Sequence, residues 1–270
     1  MDGDRTFAIL KDIKETEIND YAYYTGAIAL EELMKTVFNK QKIKCLTVNL
    51  VGRKNCKDRP ESIKIIVKLV PRFFGDKWIQ YFIDNKIHVK FIGDLDLFCN
   101  LSEEPEKIKN DIDKVEHLTA NFNDFYLNLM TAYESNYEYV NLLKNNTDKT
   151  IDELKTIYYG YNAPDVNIFI RTWRPKLSGG LPIFIGDYAD IYFFTSPFQY
   201  FRMRHLKKIL EDYSKRKEST RVDYTEDDIK TIRSLSKNIE KGKVLVIGDK
   251  ISNIWFPFKN SSLEDKNDDN

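Results

Sequence analysis

The sequence predicts an α/β protein with a mostly parallel central sheet flanked by helices, and with an extra helix and strand at the C-terminus. Short apolar runs such as CLTVNL and VNIFI alternate with longer segments whose apolar residues recur at helical spacing. The 270 residues, 42% of them hydrophobic, are enough for a substantial core. Because short strands that alternate with helices form βαβ units, the sheet is expected to be parallel.

The elements follow each other in a regular order. Helices are expected at 21–39, 61–83 with a break at Pro71, 105–120, 134–144, 151–159, 201–217 and 225–241. Strands are expected at 45–50, 88–92, 126–130, 166–170, 191–194 and 243–247. We expect a single domain over residues 1–260 and a disordered polar tail over 261–270. Ligands of such sheets bind beyond the carboxyl ends of the strands, so polar loops at 51–60, 93–100 and 171–182 are the candidate sites.

The composition argues against a nucleic-acid-binding, secreted or membrane-spanning protein. Lys+Arg and Asp+Glu are both 42, so the formal net charge is zero and no global field attracts nucleic acid. Three widely spaced cysteines and the lack of a secretion-like start indicate a reducing, cytosolic setting. No apolar run is long enough to span a membrane.

Charged and small residues concentrate in three segments. The chain opens with MDGDRTFA, the strand at 45–50 leads to RKNCKDRP, and the strand at 166–170 leads to RTWRPKLSGG. Arg and Lys supply positive charge, and Gly lets backbone N–H groups approach a ligand, so the last segment suits an oxyanion such as a phosphate. Each segment by itself is also compatible with a solvated basic loop.

Taken in order, these segments resemble the cis-prenyltransferase family, which includes undecaprenyl diphosphate synthases. MDGDRTFA resembles the family's MDGNxRWA, and 51–60 resembles its FSxENWxRP loop. Further matches are AYYTG, IGD at 92–94, LN at 127–128, and the block IRT…KLS…YADIYF. The resemblance covers roughly residues 1–217 and implies an enzyme that condenses isopentenyl diphosphate with an allylic diphosphate, with Mg²⁺ as cofactor.

The resemblance also implies roles for particular residues. Asp2 corresponds to the family's catalytic aspartate, which holds Mg²⁺, and Asp190 corresponds to the second metal-binding acid. Asn55 corresponds to the Asn proposed to assist proton removal. The positions that correspond to diphosphate-binding residues are Gly3, Arg5 and Arg59 for the allylic substrate, and Arg171, Lys176 and Ser178 for isopentenyl diphosphate.

The chain departs from the family pattern at several of these loops. Asp4 replaces Asn, Tyr23 replaces His, Cys56 replaces Trp, and Trp173 begins an altered loop after IRT. The strand that precedes MDG in the family has no counterpart in this sequence. Either the sequence is truncated at this point, or the apolar run 243–247 fills the vacant place in the sheet.

These departures leave alternatives open. The first is an active prenyltransferase, the second a non-catalytic subunit that regulates a catalytic partner, and the third an unrelated phosphate-binding α/β protein. The resemblance implies a homodimer, with a heteromer of two prenyltransferase subunits as the alternative. Because the product would be a lipid, a cytoplasmic protein with peripheral membrane association is also open.

Overall fold

In the computed structural model the chain forms two compact units, Met1–Tyr213 and Ser214–Asn270. The structure describes residues 2–69, 71–144, 146–174, 176–177, 179–215, 226–227, 229–230, 249–251 and 254–256. The prediction of a single domain over 1–260 stays a prediction. The expected helix at 225–241 and strand at 243–247 lie outside the described residues, apart from short helical pieces at 226–227 and 229–230.

The helices and strands of the first unit alternate as the sequence predicts. The helices are α1 (Asp4–Ile9), α2 (Ile18–Lys35), α3 (Arg53–Asp58), α4 (Pro60–Leu69), α5 (Pro71–Phe74), α6 (Asp76–Asp84), α7 (Leu95–Cys99), α8 (Pro105–Thr119), α9 (Ser135–Leu143), α10 (Ile151–Tyr159) and α11 (Met203–Lys215). The strands are β1 (Cys45–Gly52), β2 (Ile87–Ile92), β3 (Phe125–Tyr133), β4 (Val166–Thr172) and β5 (Ile185–Phe194). Short 3₁₀ turns at Glu15–Glu17 and Phe198–Tyr200 and a π-helical turn at Thr36–Lys40 complete this unit.

All strand pairs of the first unit are parallel. Three strands pair in the order β1-β3-β2, and β4 pairs with β5 in a separate two-stranded sheet. The predicted α/β fold class with a parallel sheet is therefore confirmed. Among the described residues the two sheets share no strand pair. In the second unit, β6 (Asp249–Ile251) and β7 (Ile254–Phe256) form an antiparallel pair that the sequence did not predict.

Strands β2 and β3 are buried on both faces, although each includes polar residues such as His88 and Asn128. Alternate residues of β3 enter different clusters: Leu127 and Leu129 pack with α2, α4, α6 and α8, whereas Met130 and Tyr133 pack with α10. Two layers of side chains therefore hold the three-stranded sheet from opposite sides, and its carboxyl edge is left for polar loops.

Two of the expected loops contain short helices. The segment 51–60 continues β1 to Gly52 and then forms α3, in which Cys56 is buried. Asp94 caps α7 by accepting a hydrogen bond from the backbone N–H of Leu97 at 3.1 Å. The sequence prediction failed here because a single turn of helix has too few apolar positions to show a period.

Candidate diphosphate-binding site

The start of the chain lies against the carboxyl end of β4. The Asp2 carboxylate accepts a hydrogen bond from the Arg171 guanidinium, with Oδ2 to Nη2 at 2.6 Å, and the backbone N–H of Asp2 donates to Thr172 Oγ1 at 3.2 Å. The backbone N–H of Phe198 donates to the Asp2 carbonyl at 3.0 Å. Two of the predicted site residues, Asp2 and Arg171, therefore form one ion pair at the edge where parallel sheets bind ligands.

Gly3 packs closely against Pro197 and Trp173, and only a glycine fits in this place. Its φ of 87° is left-handed, and a Cβ would lie 2.9 Å from Pro197 Cα and 3.0 Å from the Trp173 ring. Trp173 is itself buried with a φ of 73°, an unusual value for a bulky residue. The backbone N–H of Trp173 donates to the carbonyls of Phe194 and Ser196. These hydrogen bonds hold the chain after β4 against the end of β5.

The guanidinium groups of Arg171 and Arg174 carry donors that have no acceptor. Nε of each is buried and without a hydrogen-bond partner among the described residues. A buried donor without an acceptor costs roughly 1–3 kcal/mol, and anionic oxygen is the acceptor that guanidinium groups bind best. The two arginines therefore provide N–H groups suited to a phosphate-bearing ligand.

A second set of predicted residues meets beside α2. Arg59 donates to Asn55 Oδ1 at 2.8 Å, and the positive charges of Arg59 and Arg5 partly oppose the rise in the Tyr23 pKa that burial causes. The negative charge of Asp4 raises that pKa further. Arg5, Asn55 and Arg59 are thus brought together around Tyr23, the residue that stands in the place of the family's histidine.

Asp4 is a half-buried carboxyl group at a position where the sequence departs from the family pattern. Its Oδ1 accepts a hydrogen bond from Gln199 Nε2 at 2.8 Å, and Gln199 also donates to the Ala22 carbonyl at 3.1 Å. A Cβ on Gly26 of α2 would approach Asp4 Oδ1 to 2.9 Å. Burial raises the pKa of Asp4 to about 6, and the nearby Asp2 carboxylate adds to the rise.

The loop after β4 is fastened to the end of β3. Ser135 donates from its backbone N–H to the Gly179 carbonyl at 3.2 Å and from its hydroxyl to the Leu181 carbonyl at 2.6 Å, and Oγ also lies 3.1 Å from the Gly179 carbonyl. Tyr133 donates from its hydroxyl to the same Leu181 carbonyl at 3.0 Å. A Cβ on Gly180 would clash with the Asn49 side chain at 1.7 Å, so β1 also approaches this loop closely.

Arg53 of the predicted basic loop faces the protein. Its Nε bonds Asp94 Oδ2 at 2.9 Å, its Nη1 lies 3.8 Å from Glu134, and its guanidinium lies 3.7 Å from the centre of the Tyr137 ring. These contacts join the carboxyl ends of β1, β2 and β3. Arg53 is therefore a structural cation, whereas Arg59 remains exposed and available to a ligand.

Among the described residues, the structure does not bring the remaining predicted ones into contact with Asp2 or Arg171. Lys176 is exposed, and Ser178 lies outside the described residues. Asp190 pairs in register with Ile168, three positions before Arg171 on β4, which is roughly 10 Å back along the strand. The strand register therefore does not bring Asp190 to Asp2, and the role of Asp190 stays a prediction.

Tyr23, Gln199 and Ser135 contribute to the site but were not assigned a role from the sequence. The only signal for Tyr23 was its place in the AYYTG segment, and Gln199 and Ser135 carry no local pattern. Their contacts depend on tertiary structure that joins residues far apart in the sequence. No described helix is long and apolar enough to cross a membrane.

The fold and the site define an α/β protein whose strand ends gather arginines and one exposed carboxylate for an anionic ligand. The family model for putative undecaprenyl diphosphate synthase matches residues 1–221, and the chain belongs to this family. The predicted family is therefore confirmed, and with it prenyl transfer as the family's activity.

Curated relatives agree with this assignment. An isoprenyl transferase of Helicobacter pylori is 24% identical over 226 residues, which are 80% of this chain and 92% of the relative. A tritrans,polycis-undecaprenyl-diphosphate synthase (geranylgeranyl-diphosphate specific) of Thermoplasma volcanium is 28% identical over 209 residues, covering 71% and 75% of the two chains.

Solved structures share the fold. A probable undecaprenyl diphosphate synthase from Campylobacter jejuni matches with a TM-score of 0.59 and 22% identity over 73% of this chain and 91% of its own. Lavandulyl diphosphate synthase from Lavandula x intermedia, in complex with dimethylallyl diphosphate, matches with a TM-score of 0.65 and 15% identity over 81% and 94%.

Proposed function

We propose that this protein condenses isopentenyl diphosphate with an allylic prenyl diphosphate at the carboxyl ends of its parallel strands. The observation that carries the proposal is the Asp2–Arg171 ion pair, beside which the Nε donors of Arg171 and Arg174 are buried without an acceptor. Isopentenyl diphosphate would accept these hydrogen bonds. The allylic diphosphate would lie against Arg5 and Arg59, with the amide of Asn55 next to Arg59.

The residues fit a magnesium ion that protein and substrate hold together. Asp2 is a carboxylate with a 37% exposed side chain, and no group of three or more potential metal ligands occurs among the described residues. Magnesium is commonly bound by one or two carboxylates plus substrate phosphates, so a single aspartate is a sufficient protein ligand. When bound, the ion would neutralise charge on the departing diphosphate.

The chain's own residues would orient the two substrates. Arg171 is held by Asp2 through Nη2 and keeps its Nε donor for a ligand, which would fix the position of one diphosphate. Trp173 turns the loop so that Arg174 also faces inward with a buried Nε. Such positioning lowers the barrier by bringing the reacting carbons together in a fixed geometry.

We also propose that the active form is a homodimer in the cytoplasm, joined through the outer face of β5. Ile191 and Phe193 project from this strand and are each 45% exposed, although they are large apolar residues. β5 pairs with β4 alone among the described residues. A second copy of the chain would cover these side chains.

Calorimetric titration with isopentenyl diphosphate and Mg²⁺ tests the substrate proposal. Arg171→Gln and Arg174→Gln should each weaken binding at least about tenfold, because each removes a charged hydrogen bond worth roughly 1.5–3 kcal/mol. Arg72→Gln is the matched control, because Arg72 is paired with Glu31 away from these loops. Binding that is unchanged in both site variants, or equally weak in the control, would refute the proposed site.

A further inference from the structure

A buried acid lies beside the end of the loop after β4. Glu138 of α9 is 8% exposed. The Tyr158 hydroxyl of α10 donates to Glu138 Oε2 at 3.0 Å, and no cation forms an ion pair with Glu138 among the residues that the structure describes. A buried carboxyl group that lacks a paired cation is costly to ionise. The protonation state of Glu138 therefore affects how stable the packing around it is.

The tyrosine that bonds Glu138 also packs against the end of the loop after β4. The ring of Phe184, the last residue before β5, lies 5.8 Å from the Tyr158 ring and 6.1 Å from the Tyr159 ring. Tyr133, whose hydroxyl donates to the Leu181 carbonyl, belongs to the same apolar cluster. The attachment of residues 181–184 therefore depends on tyrosines that are in contact with Glu138 or one contact away from it.

The surroundings of Glu138 favour its protonated form. Burial raises the pKa of Glu138, and the Asp94 carboxylate at the start of α7 raises it further. The hydrogen bond from Tyr158 and the charge of Arg53 in α3 act in the opposite direction. Burial also raises the pKa of Tyr133, to about 12, and that of Tyr158. Both tyrosines therefore stay protonated at physiological pH, and Glu138 is the group among these three that titrates.

We propose that Glu138 regulates the site, because its protonated form keeps the loop after β4 attached and its ionised form loosens the loop. An ionised Glu138 gains solvation when α9 and α10 separate enough for water to enter, and that separation moves Tyr158 away from Phe184. Glu138 is thus a positioning residue, which acts through Tyr158. The inference rests on the proposed function in one respect, which is that this loop binds isopentenyl diphosphate.

Low pH favours the attached state of the loop. In this state the pKa of Glu138 lies above its ordinary value of 4.5, whereas in the loosened state, open to water, the pKa returns towards that value. The attached state therefore holds the proton more tightly, and its stability falls as pH rises through the raised pKa. Isopentenyl diphosphate should accordingly bind more weakly on the alkaline side of this transition.

Hydrogen exchange of residues 179–184 in the substrate-free protein, corrected for the intrinsic exchange rate, tests the attachment. Exchange in the unmodified protein should accelerate by about threefold or more from about pH 5 to about pH 8, because ionisation loosens the loop. Glu138→Gln keeps an acceptor for Tyr158 but cannot ionise, so its exchange should stay slow throughout. Tyr158→Phe should shift the acceleration to higher pH, because it removes a hydrogen bond that stabilises the ionised form.

Calorimetric titration with isopentenyl diphosphate and Mg²⁺ extends the test to substrate binding. The dissociation constant of the unmodified protein, divided by that of Glu138→Gln, should rise by about threefold or more over the same pH range. This ratio cancels the titration of the diphosphate and of Asp4, which both proteins share. Glu106→Gln, at an exposed position of α8, is the matched control and should follow the unmodified protein in both measurements.

Thermal unfolding should show that every variant is folded, and if Glu138→Gln is not, the pH shift in Tyr158→Phe decides the matter. Equal pH dependence of exchange in Glu138→Gln and the unmodified protein would overturn the inference. A constant ratio of dissociation constants, in a protein that binds isopentenyl diphosphate, would overturn it as well and leave the proposed function intact. If isopentenyl diphosphate binds at no pH, the proposed function fails, whereas exchange that depends on Glu138 still supports control of the loop by this acid.

Discussion

At the scale of single residues, the site combines two half-buried carboxylates two positions apart, with different partners. Asp2 pairs with Arg171, whereas Asp4 accepts a hydrogen bond from Gln199 beside α2. The same short segment, MDGDRTFA, thus provides one acid paired with a cation and one acid held by a neutral amide. Their roles differ because the chain turns at Gly3, which has a left-handed backbone and no room for a side chain.

Replacing Asp4 by Asn should stabilise the protein at neutral pH. Burial raises the pKa of Asp4 from 3.8 to about 6, so the folded state holds a proton that the unfolded state releases between those values. The free energy of unfolding therefore falls as pH rises through this window. At pH 7, Asp4→Asn should gain on the order of 1–2 kcal/mol, and below about pH 4 the gain should vanish.

Urea unfolding at a series of pH values measures this difference. Asp113→Asn, at an exposed position of α8, is the control and should leave the pH dependence of the free energy of unfolding unchanged. A constant difference between Asp4→Asn and the unmodified protein across the pH range would show that Asp4 keeps an ordinary pKa.

Replacing Gly3 by Ala should destabilise the fold more than the same change at Gly160. Both glycines are left-handed, with φ of 87° and 77°, but a Cβ at Gly160 meets nothing within 4 Å. Gly160→Ala should therefore cost only the backbone strain, about 1 kcal/mol. Gly3→Ala adds the clash with Pro197 and should cost a further 1–3 kcal/mol or so. Equal losses in thermal unfolding would contradict the close approach at Gly3.

At the scale of elements, the loop after β4 depends on its attachment to β3. Ser135 and Tyr133 together supply three donors to the carbonyls of Gly179 and Leu181. These contacts fix the far end of the segment that begins with Arg171. The proposed diphosphate loop is thus held at both ends, by Trp173 at its start and by Ser135 at its end.

Ser135→Ala removes the hydroxyl donor and should loosen the loop. We expect a loss of about 1–2 kcal/mol in stability and faster hydrogen exchange of the backbone in residues 179–181. The Michaelis constant for isopentenyl diphosphate should rise more than kcat falls, because the change weakens ground-state binding. Tyr133→Phe removes the longer hydrogen bond to Leu181, at 3.0 Å rather than 2.6 Å, and should show a smaller effect of the same kind. Unchanged exchange in both variants would argue against the attachment.

At the scale of the whole molecule, the strands of the first unit form two parallel sheets, β1-β3-β2 and β4-β5. The family resemblance implies a further strand in the sheet, and the run 243–247 is a candidate for it. The proposal that 243–247 fills this place lies outside the described residues. Both sheets nevertheless reach the candidate site, because Asn49 of β1 lies against Gly180 of the loop that follows β4.

The proposed dimer makes a prediction at this same scale. Phe193→Asp places a charge on the exposed face of β5 and should convert a dimer into a monomer in sedimentation velocity, because burying an unpaired carboxylate in an interface is costly. Tyr139→Asp changes an equally exposed aromatic residue on α9 and should leave the dimer intact. A protein that sediments as a monomer before any substitution would refute the interface.

The sequence predicted the order of helices and strands and the parallel sheet, because those depend on local periodicity. It also identified Asp2 and Arg171, which the fold brings together from opposite parts of the chain. It did not predict that Arg53 is a structural cation or that Gln199 covers Asp4. Such contacts join residues up to 195 positions apart, and no local pattern encodes them.

The most direct test of the central claim is a condensation assay with labelled isopentenyl diphosphate, Mg²⁺ and a set of allylic diphosphates. The unmodified protein should form extended prenyl diphosphate with at least one primer. Asp2→Ala should lower the rate by about a hundredfold or more, because it removes the metal ligand and the partner of Arg171, whereas Asp113→Ala should not. No product with any primer, or full activity in Asp2→Ala, would contradict the account.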